Sequence, residues 1–65
     1  MKVTRLFRLD QQARKGGGDR YEEIPTQGES LIMGRTYINQ VISRQGGKVA
    51  VIVSITIEVP EEVKS

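Results

Sequence analysis

Apolar and polar residues alternate most regularly in the last third of the chain. Over 48–59, every odd-numbered position is Val or Ile, while the even-numbered positions are mostly polar. A period of two is typical of a β-strand that buries one face, and Pro60 ends the pattern because proline cannot donate to a strand ladder. The sequence therefore predicts a strand over 48–59 whose apolar face is buried.

This strand also has the features of a segment that meets another chain. Roughly twelve residues are long for a strand in a small domain, and Ala50 and Ile52 add apolar character to its second face. Long apolar edges and faces are surfaces on which another chain pairs or packs. We therefore expect part of 48–59 to contact a partner, with a homo-oligomer through this strand as one form of that contact.

The first residues of the chain predict another strand. Over 2–9, Val3, Phe7 and Leu9 fall on one face, with Arg5 as the single interruption. Branched and aromatic residues of this kind favour strands. Phe7 is accordingly expected in the core.

Two weaker patterns follow. Residues 10–20 place three consecutive glycines in a charged run without apolar periodicity, which predicts a flexible loop. Residues 30–34 form a short apolar segment with glycine on both sides. They predict a second strand, in which Leu31 and Met33 face the same way.

The segment 36–45 separates apolar and polar residues better as a helix than as a strand. Ile38, Val41 and Ile42 follow helical spacing, whereas neither face of a strand reading is cleanly apolar. Thr36 is a suitable N-cap residue. The sequence favours a helix over 36–45.

The end of that segment fits either the C-terminus of a helix or the turn of a β-hairpin. Arg44 in a last turn suits the helix dipole, and Gly46 suits the left-handed position that follows a helix. However, Gly46-Gly47 is equally suited to a tight β-hairpin turn, and β-branched residues lower helix propensity. The hairpin therefore stays open as an alternative.

Together these elements predict a single α+β domain over residues 1–65. It consists of a small three-stranded sheet of antiparallel type, one short helix at about 36–45 packed on one face, and a frayed tail at 60–65. The alternative is an all-β small barrel or a hairpin-based dimer. A chain of 65 residues without cysteine or histidine has no disulfide and no usual zinc ligands, so packing or a partner must stabilise it.

The composition restricts where in the cell this protein acts and which reactions it could catalyse. The longest apolar run, 49–53, is too short to span a bilayer, and Arg5 and Arg8 interrupt any signal-peptide core. We therefore expect a soluble cytoplasmic protein. Catalysis would have to use scattered carboxylates and lysines, and the glycine run lacks the spacing of a nucleotide-binding loop. We expect no enzyme, no cofactor and no metal.

Positive charge is concentrated near the N-terminus. The net charge is +2, and residues 1–20 hold six Lys or Arg against two Asp. Such a region attracts nucleic acid, an acidic membrane surface or an acidic protein, although a solvated basic face explains it equally well. These basic residues, with Phe7 and Tyr21 nearby, contain the ingredients of a small nucleic-acid-binding β domain.

The order of these elements resembles a known family. A polar helix ending in "ISRQGG" and followed by "KVAVI" is similar to the CpcD-like small linker domain of phycobilisomes, which also occurs in some cyanobacterial ferredoxin–NADP reductases. The likeness covers residues 2–52. The matching positions are Ile42, Arg44, Gly46, Gly47, Lys48 and Val49, together with the pair Arg20 and Tyr21.

The resemblance implies a non-catalytic linker or capping polypeptide, cytoplasmic and peripheral to the thylakoid. Such a polypeptide docks in a phycobiliprotein disc, an acidic protein complex, and tunes its assembly or energy transfer. The residues we expect to contact the partner are Arg5, Arg8, Arg20 and Arg44 as charged groups and Tyr21 as an aromatic anchor. The alternative function is nucleic-acid binding by a β domain.

Overall fold

A computed structural model describes residues 1–60, which form an antiparallel sheet curled into a half-barrel, with one short helix. Strand order in the sheet is β3-β2-β1-β4, so β3 and β4 are its two edges. The predicted antiparallel sheet with one helix is confirmed in outline, and the sheet has a fourth strand. The elements are β1 Lys2–Gln11, β2 Gly18–Glu23, β3 Arg35–Asn39, α1 Gln40–Ser43 and β4 Ile52–Glu58.

The two strands with the clearest alternation are present and pair with each other. β1 extends past the predicted 2–9, and β4 is shorter than the predicted 48–59. Their register aligns Phe7 with Val53 and Arg5 with Ile55, which places the odd-numbered residues of both strands on one face. We call this the inner face of the half-barrel, because Phe7 on it is fully buried.

The prediction for the region between these strands was wrong. Residues 30–34 contain no strand, and β2 instead begins at Gly18, inside the stretch predicted as a loop over 10–20. The inward-facing residues of β2 include Asp19 and Glu23. A strand that buries two carboxylates and one tyrosine has no apolar alternation, so a hydrophobic pattern does not reveal it.

The predicted helix over 36–45 was also wrong in its extent. Its first half is β3, which pairs with β2 and places Ile38 opposite Asp19. Helix α1 has four residues and begins after Asn39, whose side-chain oxygen accepts from the Val41 N–H at 2.9 Å. The apolar spacing did not mark a buried helical face, because Val41 is 75% exposed.

Only a small part of the inner face is closed to solvent. Within residues 1–60, the fully buried apolar side chains are Phe7 and Tyr21. The inner residues of β4 are half-buried, while Val51 and Val59 at its two ends are exposed. The prediction that the whole apolar face of 48–59 is buried is therefore wrong.

Two glycines occupy positions where a side chain would cause strain or a steric clash. After α1 the left-handed conformation occurs at Gly47, with φ of 94°, rather than at the predicted Gly46. Gly18 is needed for a different reason: a Cβ added there would lie 3.0 Å from the Ile38 carbonyl oxygen of β3. The predicted frayed tail lies, after Pro60, outside the described residues.

We expect Gly18→Ala to lower the free energy of unfolding by about 1–3 kcal/mol, because the methyl group overpacks the β2–β3 contact. Urea denaturation followed by circular dichroism measures this change. Gly16→Ala is the matched control, since a Cβ there meets nothing within 4 Å. It should leave stability unchanged or raise it by about 0.4–1 kcal/mol, and equal losses for the two variants would contradict the prediction.

Candidate functional site

A buried carboxylate organises the end of the molecule that carries the glycine-rich loop. Asp19 in β2 is fully buried. It accepts from the Ala13 N–H at 2.8 Å, from the Ser43 hydroxyl, and from Arg44 Nη2 at 2.8 Å and Nε at 3.2 Å. These donors come from the loop that precedes β2 and from the end of α1, so Asp19 joins β2 to this loop and to residues 24 and 25 positions further along the chain.

The same contacts determine the charge of this group. Hydrogen bonds from Arg44, then from Ser43 and the Ala13 N–H, hold the Asp19 pKa far below its usual range, against the opposing effect of burial. A carboxylate that is fully paired and always ionised cannot serve as a general acid or base near neutral pH. Asp19 is therefore a structural anchor.

The loop between β1 and β2 is also held by α1. Gln40 Nε2 donates to the carbonyl oxygens of Lys15 at 2.8 Å and Gly17 at 3.0 Å. Arg44 Nη2 lies 3.3 Å from the Ala13 carbonyl oxygen. These contacts fix the backbone of 12–17, the part of the predicted loop that lies outside any strand.

Beside this loop lies a groove with a cavity volume of about 390 Å³, which is within the range of small-ligand sites. Tyr37 on one wall is 67% exposed. Arg20 contacts both Tyr37 and Asp10, with its Nε 2.6 Å from the Asp10 carboxylate. We call this the loop groove; its lining residues are Gln11, Gln12, Ala13, Arg14, Gly16, Gly17, Gly18, Arg20 and Tyr37.

The loop groove offers an aromatic ring, two guanidinium groups and glycine backbone in one place. An exposed aromatic face stacks on planar groups, and guanidinium groups bind phosphate or carboxylate. Arg20 is partly neutralised by Asp10 at 2.6 Å. Arg14 forms no ion pair within residues 1–60, so its charge is available to a ligand.

A second buried carboxylate holds the loop between β2 and β3. Glu23 accepts from the backbone N–H groups of Ile32, Met33 and Gly34 at 2.9–3.0 Å. Burial raises its pKa, but these three N–H groups and the charge of Arg5 outweigh that effect and lower it. Arg5 Nε lies 3.7 Å from the Glu23 carboxylate, too far for a hydrogen bond.

The five residues predicted to contact a partner do not form one surface. Tyr21 is fully buried, and its hydroxyl donates to the Ala50 carbonyl oxygen at 2.6 Å. Arg44 binds Asp19, Arg20 binds Asp10, and Arg5 lies between Glu23 and Glu29. Of the five, Arg8 has the most exposed side chain, at 57%, with Glu22 at 3.7 Å.

The exposed residues of β3, on the opposite, outer face of the sheet, were not predicted. Arg35 and Tyr37 alternate along β3 and both are exposed. The signal was the alternation of "RTYIN", which a helical reading of 36–45 concealed. Glu23, a further residue that was not predicted, is buried on the inner face.

Many large apolar side chains remain in contact with solvent. Within residues 1–60, ten large hydrophobic residues are exposed while two hydrophobic residues are buried. Val41 at 75% and Ile42 at 61% lie side by side on α1; we call this pair the α1 patch. Exposed apolar residues that lie together are candidates for a contact surface.

Neither a metal site nor a membrane helix is found in the described part of the chain. No group of three or more acidic side chains within residues 1–60 lies close enough to hold a metal ion. Over the same residues, no helix has the length and apolar character needed to cross a membrane. Comparisons with protein-family models, with curated proteins and with solved structures find no match to this chain.

The two buried carboxylates make the fold sensitive to acid. Their pKa values are lower in the folded chain than in the unfolded one, where both are near 4. The unfolded chain therefore binds more protons below this pH, and the stabilisation is lost as pH falls through the folded-state pKa values. We expect Asp19→Asn and Glu23→Gln to lose stability at pH 7 and to show a flatter dependence between pH 5 and about pH 2.

Circular dichroism during acid titration and urea denaturation at each pH measures this effect. Asp10→Asn and Glu22→Gln are the matched controls, because both carboxylates lie on the partly exposed outer face. They should lose less stability at pH 7 than Asp19→Asn and Glu23→Gln. A parent-like pH profile for Asp19→Asn and Glu23→Gln would contradict the assignment.

Proposed function

We propose that this protein is a non-catalytic interaction module whose incomplete apolar core is covered by a protein partner. The observation that carries the proposal is the imbalance between ten exposed large hydrophobic side chains and two buried hydrophobic ones within residues 1–60. Binding to the folded state stabilises a protein by mass action. A partner that covers part of this exposed apolar surface therefore contributes to stability as well as to assembly.

The α1 patch is the candidate centre of this contact. The carbonyl oxygen of Ser43 accepts from the Ala50 N–H at 2.8 Å, and Ser43 also donates to Asp19. These bonds fix the position of the short helix. Val41 and Ile42 therefore occupy defined positions, which lowers the entropy cost of binding.

The charge of the module favours an acidic partner. The sequence carries a net charge of +2. Arg8 and Arg35 are 57% and 63% exposed and share a single carboxylate, Glu22. Lys15 and Lys48 form no ion pair within residues 1–60. Such a surface accelerates association with an acidic protein.

The resemblance to CpcD-like linker domains supplies one specific partner, a phycobiliprotein disc. Four of the residues that carry the resemblance, Ile42, Arg44, Gly46 and Gly47, lie in α1 and the turn that follows it. They are therefore part of, or next to, the α1 patch. In this role the chain acts in the cytoplasm beside the thylakoid, caps a disc and tunes its assembly or energy transfer.

Nucleic-acid binding is the second candidate, and the loop groove favours it. Tyr37 is exposed on the sheet surface, Arg20 is in contact with it, and Arg14 lies on the same groove. Base stacking on an aromatic residue with phosphate contacts from arginines is a common way to bind single strands. This mode uses the loop groove rather than the α1 patch, so the two candidates can be separated by mutation.

Sedimentation of the protein with purified phycobiliprotein trimers, at low and moderate salt, tests the first candidate. We expect co-sedimentation and a shifted bilin absorbance band. The double variant Val41→Ser and Ile42→Ser should weaken binding roughly tenfold or more, because each methylene removed from a buried contact costs about 0.8 kcal/mol. Both side chains are exposed in the free protein, so its fold should be retained.

Two controls separate the candidates. Leu31→Ser changes an exposed apolar residue in the β2–β3 loop and should bind trimers like the parent chain. Tyr37→Ala should affect only binding to a mixed-sequence single-stranded nucleic acid. Binding that is confined to nucleic acid, falls steeply with salt and is lost in Tyr37→Ala would replace the first candidate by the second.

A further inference from the structure

The two edges of the sheet differ in how well they are protected. β3 has five residues and carries Arg35 at its start. β4 has seven, IVSITIE, with no Pro or Lys, and it pairs with β1 without any register shift. Natural sheets protect a free edge by proline, lysine, bulges or short length. β4 is therefore a regular edge strand that has no proline, no lysine and no bulge.

The hydrogen-bond pattern shows which backbone groups of β4 are free. Leu9 N–H donates to Val51 oxygen at 2.7 Å, and Val59 N–H donates to Met1 oxygen at 2.8 Å. Hydrogen-bonded pairs alternate along an antiparallel ladder, so the odd-numbered residues of β4 bond to β1. The N–H and C=O groups of the even-numbered residues point away from the sheet. They are Ile52, Ser54, Thr56 and Glu58.

We propose that two copies of this chain pair antiparallel through β4, about a two-fold axis at Ile55, so that the two half-barrels share one continuous sheet. Ile55 is the midpoint of Ile52–Glu58, so this register uses the whole strand. The N–H and C=O groups of Ile55 point to β1, so the two central Ile55 residues do not exchange backbone hydrogen bonds with each other. On either side of them, Ser54 of one copy and Thr56 of the other do exchange backbone hydrogen bonds.

The sequence of β4 is self-complementary in this register, as a two-fold interface requires. Val53 lies opposite Ile57 of the second copy, and Ser54 lies opposite its Thr56. Ser54 then extends the hydroxyl contact between Thr4 and Thr56, whose Oγ1 atoms are 2.7 Å apart. Each cross-strand pair on both faces thus matches in chemical type, except for Ile52 opposite Glu58.

The pairing also accounts for exposed apolar groups at both ends of β4. Continuing the register one step places Val51, which is 62% exposed, opposite Val59 of the second copy, which is 52% exposed. On the inner face, the half-buried Val53, Ile55 and Ile57 gain neighbours of the same kind. The dimer therefore covers the apolar side chains that β1 alone leaves open.

Single cysteine variants test the register directly, because the chain contains no cysteine. Cα atoms of a non-hydrogen-bonded pair are about 4.5 Å apart, which is within the range of a disulfide. Ile55→Cys should therefore give a covalent dimer on mild oxidation. Val53→Cys and Ile57→Cys should each form no covalent dimer alone, but should cross-link to each other when mixed.

Ser54→Pro tests the pairing without a covalent cross-link. The Ser54 N–H points away from β1, so proline removes a bond of the dimer but none of the monomer. Sedimentation should shift from a dimer to the 7.3 kDa monomer, with an unchanged circular dichroism spectrum. A Val53→Pro control, which removes a β1–β4 bond, should unfold.

The proposal is overturned if the parent chain sediments as a monomer, or if Ile55→Cys cross-links no more than Val53→Cys. If Ser54→Pro does not fold, the cysteine pattern still decides between these outcomes. The pairing does not rest on the proposed function. The α1 patch follows β3, the other edge strand, so loss of partner binding in the Val41 and Ile42 variant leaves the dimer unaffected.

Discussion

The carboxylate of Asp19 supports three parts of this structure at once. It binds the loop after β1 through Ala13 and the end of α1 through Ser43 and Arg44. Removing one partner from a buried charged contact leaves the other unsatisfied, which costs more than the contact itself contributes. The position of α1, the walls of the loop groove and the start of β2 therefore depend on this one ionised group. Arg44 is 33% exposed, so only one of the two charges loses all of its solvent contact.

Glu23 plays the same part at the other end of β2, where backbone N–H groups of residues 32–34 replace the arginine. With few apolar side chains buried, this small domain uses two carboxylates to fix its loops. Such contacts specify geometry more than they supply stability, because ionised groups are costly to bury. The hydrophobic contribution comes mainly from Phe7, Tyr21 and the half-buried inner residues of β1 and β4. Much of the apolar surface is exposed to solvent in the monomer.

The extent to which the sequence predicts this structure follows from where its apolar residues lie. β1 and β4 alternate in hydrophobicity, so both were predicted. β2, with the sequence GDRYEE, buries Asp19, Tyr21 and Glu23, and its strand character depends on distant donors that no local pattern shows. The helix over 36–45 was predicted from a spacing that β3 and α1 divide between them. Tyr37 of the loop groove was missed for the same reason, whereas the strand predicted over 48–59, of which 52–58 form β4, follows from alternation alone.

The shortness of α1 connects the fold to the need for a partner. The first half of 36–45 is β3, which pairs with β2 and places Ile38 opposite Asp19, so only four residues remain for α1. The remaining four residues cover only the region around Ser43, which is buried. The inner residues of β4, which lies at the opposite edge of the sheet from β3, are half-buried. A sheet whose β4 edge has no neighbouring strand gains most by burying that edge against another chain, because apolar burial is the main source of stability still unused.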